Sequence, residues 1–244
     1  MAFERLLMLN FSDKTVFVTG ATRGIGSAIV NAFRERGARV IGTGTKSTSE
    51  IGLDAYFQAD FTDLKQIQAC ADFIRENRPD VLINNAGINK NLPFLEIDSE
   101  LFMRIQQVNV FAPFLLCQAA IPGMKEKGWG RIVNISSIWS KISKQHRASY
   151  SSSKFALDGL TLSIATEYAG IGILANCVAP GFTNTELTHQ MLGDKDIEAI
   201  LKTVPIGRLA EVGEIANLVL WLSSNENTYV SGQNIAIDGG FTRA

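Results

Sequence analysis

Tyr150 and Lys154 stand four residues apart, and Ser137 precedes the tyrosine by thirteen. At helical spacing, residues i and i+4 lie one above the other on the same face. A phenol, with an unperturbed pKa of ~10, is a weak proton donor or acceptor near neutrality. A lysine cation held beside it favours the phenolate and draws that pKa towards the working range. A serine hydroxyl arriving from a neighbouring strand can hold a carbonyl oxygen against the phenol. Three such groups make a proton-transfer site for interconverting an alcohol and a ketone, provided that a hydride carrier binds nearby. Tyr-x-x-x-Lys alone is also what a solvated helix face looks like, so the surrounding elements must supply the context.

Those elements read as alternating strands and helices. The apolar, β-rich run 15–19 leads into Gly20, Gly24 and Gly26, then a helical pattern over 27–36 closed by Gly37. A second strand is expected over 39–43. Strand, glycine turn, helix and strand form one βαβ unit, which crosses over right-handed into a parallel sheet. Further strands are expected over 55–58, 81–83, 131–136, 173–178 and 234–237. Helices are expected over 63–76, 99–127, 149–169, 186–202 and 211–222, with Pro113 and Pro122 marking a kink and a turn in the long one. The fold class expected is α/β. A single NAD(P)-binding domain over 1–244 carries a Rossmann-type doubly wound, seven-stranded parallel sheet with helices on both faces. Ligands of such sheets sit beyond the carboxyl ends of the strands, where the strand order reverses. Gly20, Asp60, Asn84, Ser137 and Pro180 all fall just past expected strand ends and would converge on one crevice.

Composition narrows the functional classes. The chain has 244 residues, 46% hydrophobic and 19% charged, enough to bury a large core. A formal net charge of −1 offers no electrostatic footprint for nucleic acid or an anionic membrane surface. No apolar run reads as membrane-spanning, and residues 1–11 carry no leader pattern. Cys70, Cys117 and Cys177 are odd in number and far apart, which reads as buried thiols in a reducing, cytoplasmic setting. With His146 and His189 the only histidines, no metal site is expected.

Gly20, Gly24 and Gly26 would let the backbone approach a pyrophosphate at a helix N-terminus. Their spacing is G-x-x-x-G-x-G rather than G-x-G-x-x-G, and a plain tight turn is the alternative; their place after the first strand favours a dinucleotide. An NAD site usually carries an acid about 20 residues further on. Here that stretch reads Gly42-Thr-Gly44-Thr45-Lys46, with no acid until Glu50. A 2′-phosphate is thereby permitted, and Arg23, Thr45 and Lys46 could bind it through charge-assisted hydrogen bonds. NADP(H) is expected over NAD(H).

Thr19-Gly-Ala-Thr-Arg-Gly-Ile-Gly26, Asn84-Asn-Ala-Gly87, Asn109, Ser137, Tyr150-x-x-x-Lys154 and Pro180-Gly181 together resemble the short-chain dehydrogenase/reductase family, of its compact single-domain type. The resemblance runs to Asp238-Gly-Gly240, and it is nearest to bacterial 3-oxoacyl-acyl carrier protein reductases. It implies that Tyr150 is the general acid or base, that Ser137 orients the carbonyl, and that Lys154 holds the nicotinamide ribose and lowers the Tyr150 pKa. Asn109 would fix a water that relays protons to Lys154. The implied cofactor cradle is Gly20, Thr22, Arg23, Gly24, Ile25 and Gly26. Asp60 and Phe61 would meet the adenine, Asn85, Ala86 and Gly87 the adenosine ribose, and Thr183 and Thr185 after Pro180 and Gly181 the carboxamide. The resemblance also implies a substrate lid over 183–203, a homotetramer, a 3-oxoacyl thioester as substrate and acyl carrier protein as partner.

Two stretches depart from those relatives. Where they offer basic residues to the acidic carrier, this chain has Gly128 and Ile171; Lys125, Lys127 and Arg131 lie nearby in sequence. The loop before Tyr150 carries Lys141, Lys144, His146 and Arg147, with Trp139 as a flat wall. Cations at a cleft mouth attract anions. The second expectation is therefore an anionic polar keto compound, such as a sugar derivative, bound by Ser137, Trp139, Lys144, Arg147 and Tyr150. A solvated surface loop is the plain alternative. A non-catalytic dinucleotide-binding regulator would have no need of the Asn109, Ser137, Tyr150, Lys154 set.

Overall fold

The computed structural model describes residues 9–191 and 193–244. Most of the N-terminal stretch 1–11, and Leu192 within the segment 183–203, lie outside the described residues. In chain order the strands are β1 (Thr15–Val18), β2 (Arg39–Gly44), β3 (Ala55–Gln58), β4 (Val81–Asn84), β5 (Gly130–Ile135), β6 (Ile173–Pro180) and β7 (Asn234–Ile237). All pair in parallel, in the order β3-β2-β1-β4-β5-β6-β7. The order reverses between β1 and β4, which opens a crevice beyond their carboxyl ends.

The helices are α1 (Gly24–Arg34), α2 (Leu64–Asn77), α3 (Ser99–Gln106), α4 (Ala112–Lys127), α5 (Ala148–Tyr168), α6 (Glu186–Met191), α7 (Asp194–Leu201) and α8 (Val212–Ser223). Side chains alternate across each strand, so both faces of the sheet must be covered. Phe17, Ile41, Leu82 and Ile132 pack with Ile67 and Ile74 of α2, Leu116 and Met124 of α4 and Ile164 of α5. Val16, Val18, Ile83 and Val133 pack on the other face with Ile29 and Phe33 of α1 and Ile215 and Val219 of α8. The central strands are buried on both sides, which is why they read in sequence as unbroken apolar runs.

Several local expectations are corrected. The first helix starts at Gly24 rather than at residue 27, so the glycine turn includes the helix's own first turn. The region 99–127 is one continuous helical stretch with a π turn, Gln107–Phe111, between α3 and α4. Pro113 cannot donate to the carbonyl of Asn109, four residues back, and the helix widens there instead of breaking. Pro122 makes no turn: α4 continues through it to Lys127 and ends at Gly128, which is left-handed with φ 63°. Burial of Ala119, Ala120 and Met124 on either side holds the proline in the helix. The segment 186–202 is two helices rather than one. Strand β6 runs two residues further than expected, and Pro180 pairs with Ile237. Its pairing with β5 stops at Val178, so the proline's missing donor is tolerated. Finally, Ser99–Lys127 is 29 residues long and apolar enough to cross a membrane by composition, contrary to the sequence reading, yet 56% of its most apolar window is buried. It covers the sheet.

All three cysteines are buried, and burial pushes each thiol up to about 12, leaving them protonated and inert near neutrality.

Candidate active site

The site begins with a turn that no side chain can enter. Gly20 and Gly24 adopt left-handed conformations, with φ 61° and 54°. A Cβ on Gly26 would lie 2.1 Å from the Gly20 carbonyl oxygen and 2.6 Å from Asn85 Nδ2. Asn85 Nδ2 donates to the carbonyls of Thr19 (2.9 Å) and Gly20 (3.0 Å). Thr19 Oγ1 accepts from the backbone N–H groups of Asn85 (2.9 Å) and Ala86 (3.0 Å). The turns after β1 and β4 are thus stitched together where the strand order reverses. Helix α1 has no acidic residue in its first turn, and Arg23, its N-cap, makes no capping bond. Its first N–H groups and the positive end of its dipole are left for an anion, so the cradle fits a pyrophosphate. Gly26→Ala forces this turn apart. We expect a stability loss of ~1–3 kcal/mol and a melting midpoint lowered by about 2–10 °C in a thermal scan, with dinucleotide binding weakened as well.

The reacting groups gather on the far side of the same crevice. Ser137, two residues past β5, is buried, and its Oγ accepts from the Trp139 N–H at 3.3 Å. Tyr150 and Lys154 lie on one face of α5, with Lys154 Nζ 5.6 Å from the Tyr150 ring centroid. Lys154 Nζ is buried and donates to the Ile135 carbonyl at 2.8 Å. Loss of solvent pulls its pKa down to about 8. Enclosure raises the Tyr150 pKa; hydrogen bonding by Ser137 and then the Arg147 charge pull against that rise. The expectation that Lys154 lowers the Tyr150 pKa is therefore corrected for the cofactor-free chain. Burial outweighs both opposing pulls, one of which comes from the Arg147 cation.

One cavity of about 460 Å³ joins the two halves. It is lined by Gly20, Thr22, Arg23, Gly24, Ile25 and Gly26 at one end and by Ser137, Trp139, Arg147, Tyr150 and Lys154 at the other. Thr45, Asp60 and Phe61 line it from the turns after β2 and β3, and Asn85, Ala86 and Gly87 from the turn after β4. Pro180, the last residue of β6, and Gly181, Thr183 and Thr185 beyond it close the cavity. Three expected site residues stay outside the lining. Lys46 is exposed beyond the end of β2, and the Tyr56 hydroxyl pins its backbone carbonyl at 2.7 Å. Lys144 is exposed, 5.9 Å from the Trp139 ring. Asn109 is buried behind the wall: its Oδ1 accepts from the Ile88 N–H (2.9 Å), and its Nδ2 donates to the Ile88 carbonyl (2.9 Å) and Ser153 Oγ (3.0 Å). It ties the loop after β4 to the helix of Tyr150 and Lys154.

The basic loop does not act as a cluster. Lys141 Nζ donates to the Asn234 carbonyl at 2.6 Å, and His146, exposed, takes up a left-handed turn with φ 66°. Of the four, only Arg147 lines the cavity. The carrier-docking candidates also fall away. Arg131 is buried and donates to the carbonyls of Gly130 (2.8 Å), Asn227 (2.9 Å), Gly172 (3.1 Å) and Ser224 (3.4 Å). Lys127 pairs with Asp80 at 2.7 Å. Gly128 and Ile171 precede β5 and β6, at the amino ends of the strands and opposite the crevice. Lys125 remains exposed.

Sequence reasoning missed the aromatic wall. Phe182 lines the cavity and meets Trp139 (6.5 Å) and Phe241 (5.2 Å) edge to face, and Trp139 meets Phe241 likewise at 6.5 Å. No local spacing links those three. It also missed Thr188, whose Oγ1 donates to the Thr183 carbonyl at 2.7 Å and lies 2.9 Å from Thr185 Oγ1.

A family model described as Enoyl-(Acyl carrier protein) reductase matches residues 20–242. The 3-oxoacyl-(acyl-carrier-protein) reductase FabG of Escherichia coli is 36% identical over 241 residues, covering 95% of this chain and 98% of that protein. A 3alpha-hydroxysteroid dehydrogenase of Mediterraneibacter gnavus is 36% identical over 247 residues, covering 96% and 98%. Among solved structures, one from Beutenbergia cavernae assigned as an NAD(P) dependent gluconate 5-dehydrogenase, with NADP bound at low occupancy, is similar with a TM-score of 0.91. It is 33% identical, over 96% of this chain and 99% of that one. A gluconate 5-dehydrogenase from Burkholderia cenocepacia, in complex with NADP and tartrate, matches with a TM-score of 0.89 and 28% identity, over 96% and 97%.

Proposed function

Because this chain belongs to the short-chain dehydrogenase/reductase family, we propose that it interconverts a ketone and a secondary alcohol with NADP(H). The observation that carries this reading is the single cavity shared by the glycine cradle and the Ser137, Tyr150, Lys154 group. A nicotinamide dinucleotide on that cradle supplies or accepts the hydride. Tyr150 gives a proton to the carbonyl oxygen in reduction and takes it back in oxidation. Ser137 holds that oxygen against the phenol. Lys154, anchored by the Ile135 carbonyl, holds the ribose hydroxyls. Asn109 keeps the loop after β4 in register with α5 and supports a water next to Lys154. Residues 183–203 cover the substrate as a lid.

NADP(H) preference rests on Arg23 and Thr45 in the lining, the lack of an acid between Gly42 and Lys46, and the NADP bound by similar structures. We expect kcat/KM for NADPH to exceed that for NADH at least about tenfold. Arg23→Gln should erase ~10–100-fold of that preference, the worth of a charged hydrogen bond. Steady-state rates with both cofactors check this, and a preference for NADH in the native chain refutes it.

Two substrate readings follow. A 3-oxoacyl thioester is favoured by the reductase from Escherichia coli, with an acyl carrier protein as its partner. A polar keto acid is favoured by Arg147 in the cavity lining and by the gluconate dehydrogenases among similar structures. NADPH oxidation against acetoacetyl thioesters, keto sugars and keto acids separates them. The assembly is a homotetramer in the cytoplasm. Exposed Phe102, Met103, Phe111 and Phe114 on the long helical stretch, and Phe155 and Leu162 on α5, give it apolar surface to cover.

A further inference from the structure

We propose that Arg147, laid against Trp139 in the cavity wall, is the subsite for a carboxylate of the substrate, which makes the substrate a keto acid or hydroxy acid. The proposal deepens the oxidoreductase reading above and rests on it for the identity of the reacting carbon.

Three observations carry it. The Arg147 guanidinium lines the cavity, 5.1 Å from the Trp139 ring centroid. The ring holds the cation in the wall, and its fork of N–H donors stays open to a planar acceptor. Among the described residues, no carboxylate pairs with Arg147 and no protein acceptor takes its side-chain N–H groups. Fork donors without a protein acceptor inside a substrate cavity are matched by a carboxylate, which accepts two parallel hydrogen bonds. The neighbourhood also favours an anion. Arg147 is the N-cap of α5 and makes no capping bond, and that helix has no acidic residue in its first turn. The other charged groups lining the cavity are accounted for. Arg23 belongs to the glycine cradle, Lys154 is tied to Ile135, Asp60 accepts from Thr62, and Glu186 accepts from Gln190. Arg147 stands three residues before Tyr150, and Trp139 two after Ser137, so the anion lies beside the reacting carbonyl. The carboxylate and the carbonyl therefore belong to one small molecule. Lys144 and Lys141, outside the lining or bonded elsewhere, take no part.

The test uses keto acids of four to six carbons, each paired with its uncharged methyl ester, and reads two quantities. Titration calorimetry gives Kd on the NADP+-loaded chain, and NADPH oxidation gives KM. The native chain should bind each acid more tightly than its ester. Arg147→Met should weaken acid binding ~10–100-fold and ester binding under about threefold. Arg147→Lys, which keeps the charge but not the fork, should recover part of the acid affinity. Equal affinity of the native chain for acid and ester, binding of neither, or equal loss of both in Arg147→Met overturns the subsite. Acids that bind through Arg147 yet are never reduced, with acetoacetyl thioesters and keto sugars left unreduced as well, leave the subsite standing and refute the oxidoreductase reading instead.

Discussion

Tyr150→Phe should lower kcat by ~10²–10⁴-fold while NADPH binds with a Kd within about twofold of the native value. The change removes one oxygen and leaves the ring. That ring contributes to the cavity wall and lies 5.6 Å from Lys154 Nζ, so the packing and the lysine's position persist. The nucleotide is held mainly by groups the phenol does not touch: the turn from Gly20 to Gly26 and the loop of Asn85 to Gly87. What is lost is the proton source within reach of Ser137. Burial raises the Tyr150 pKa, against the pull of Ser137 and Arg147, so the phenol is protonated near neutrality and poised to donate. Reduction should suffer across the whole neutral and mildly alkaline range for that reason. Fluorescence titration with NADPH, a melting scan and single-turnover rates separate binding, folding and chemistry. Near-native rates of ketone reduction by the Tyr150→Phe variant would exclude Tyr150 as the acid.

The layers of this fold were legible because the chain's local rules and its global packing agree. The central strands are apolar on both faces, as at Val16, Phe17 and Val18, so each appears as a short unbroken run. Residues with chemistry follow strand ends, and a doubly wound sheet brings those ends to one crevice, so Gly20, Ser137 and Pro180 could be assembled before any contact was known. Spacing failed where long-range bonds decide. Nothing near Lys141 in sequence announces that it donates to Asn234, or that Arg131 meets the carbonyls of Ser224 and Asn227. Both cations looked available and are committed to closing the fold. The π turn at Asn109 was signalled only by Pro113, and a proline marks a disturbed ladder without saying whether the helix bends, widens or stops. The electrostatics of Tyr150 and Lys154 were misjudged for a related reason. Residue types at i and i+4 report that two groups are neighbours, while burial, which dominates both pKa shifts, belongs to the whole fold.

Lys154→Met should flatten the alkaline limb of the stability curve by about 3 kcal/mol in the cofactor-free chain. The sign follows from the direction of the shift. In the unfolded chain the amine keeps an ordinary pKa of 10.5, whereas burial depresses it to about 8 in the folded one. Below pH 8 the lysine is charged in both states, and the folded state bears the full cost of a buried ammonium. Between pH 8 and 10.5 the unfolded chain binds a proton that the folded chain does not, so native stability rises with pH across that window. Above 10.5 the amine is neutral in both states and the cost is gone. The methionine variant has no such limb, so its advantage over the native chain is greatest near neutrality and shrinks through the window. It also loses the bond to the Ile135 carbonyl. That loss offsets the two curves without changing their difference in slope, so the slope is the quantity to measure. Urea midpoints taken at neutrality, within the window and near its upper end read it directly, because the remaining lysines titrate in both proteins. Parallel curves would mean that Lys154 is as well solvated by the fold as by water and keeps its ordinary pKa in the folded chain.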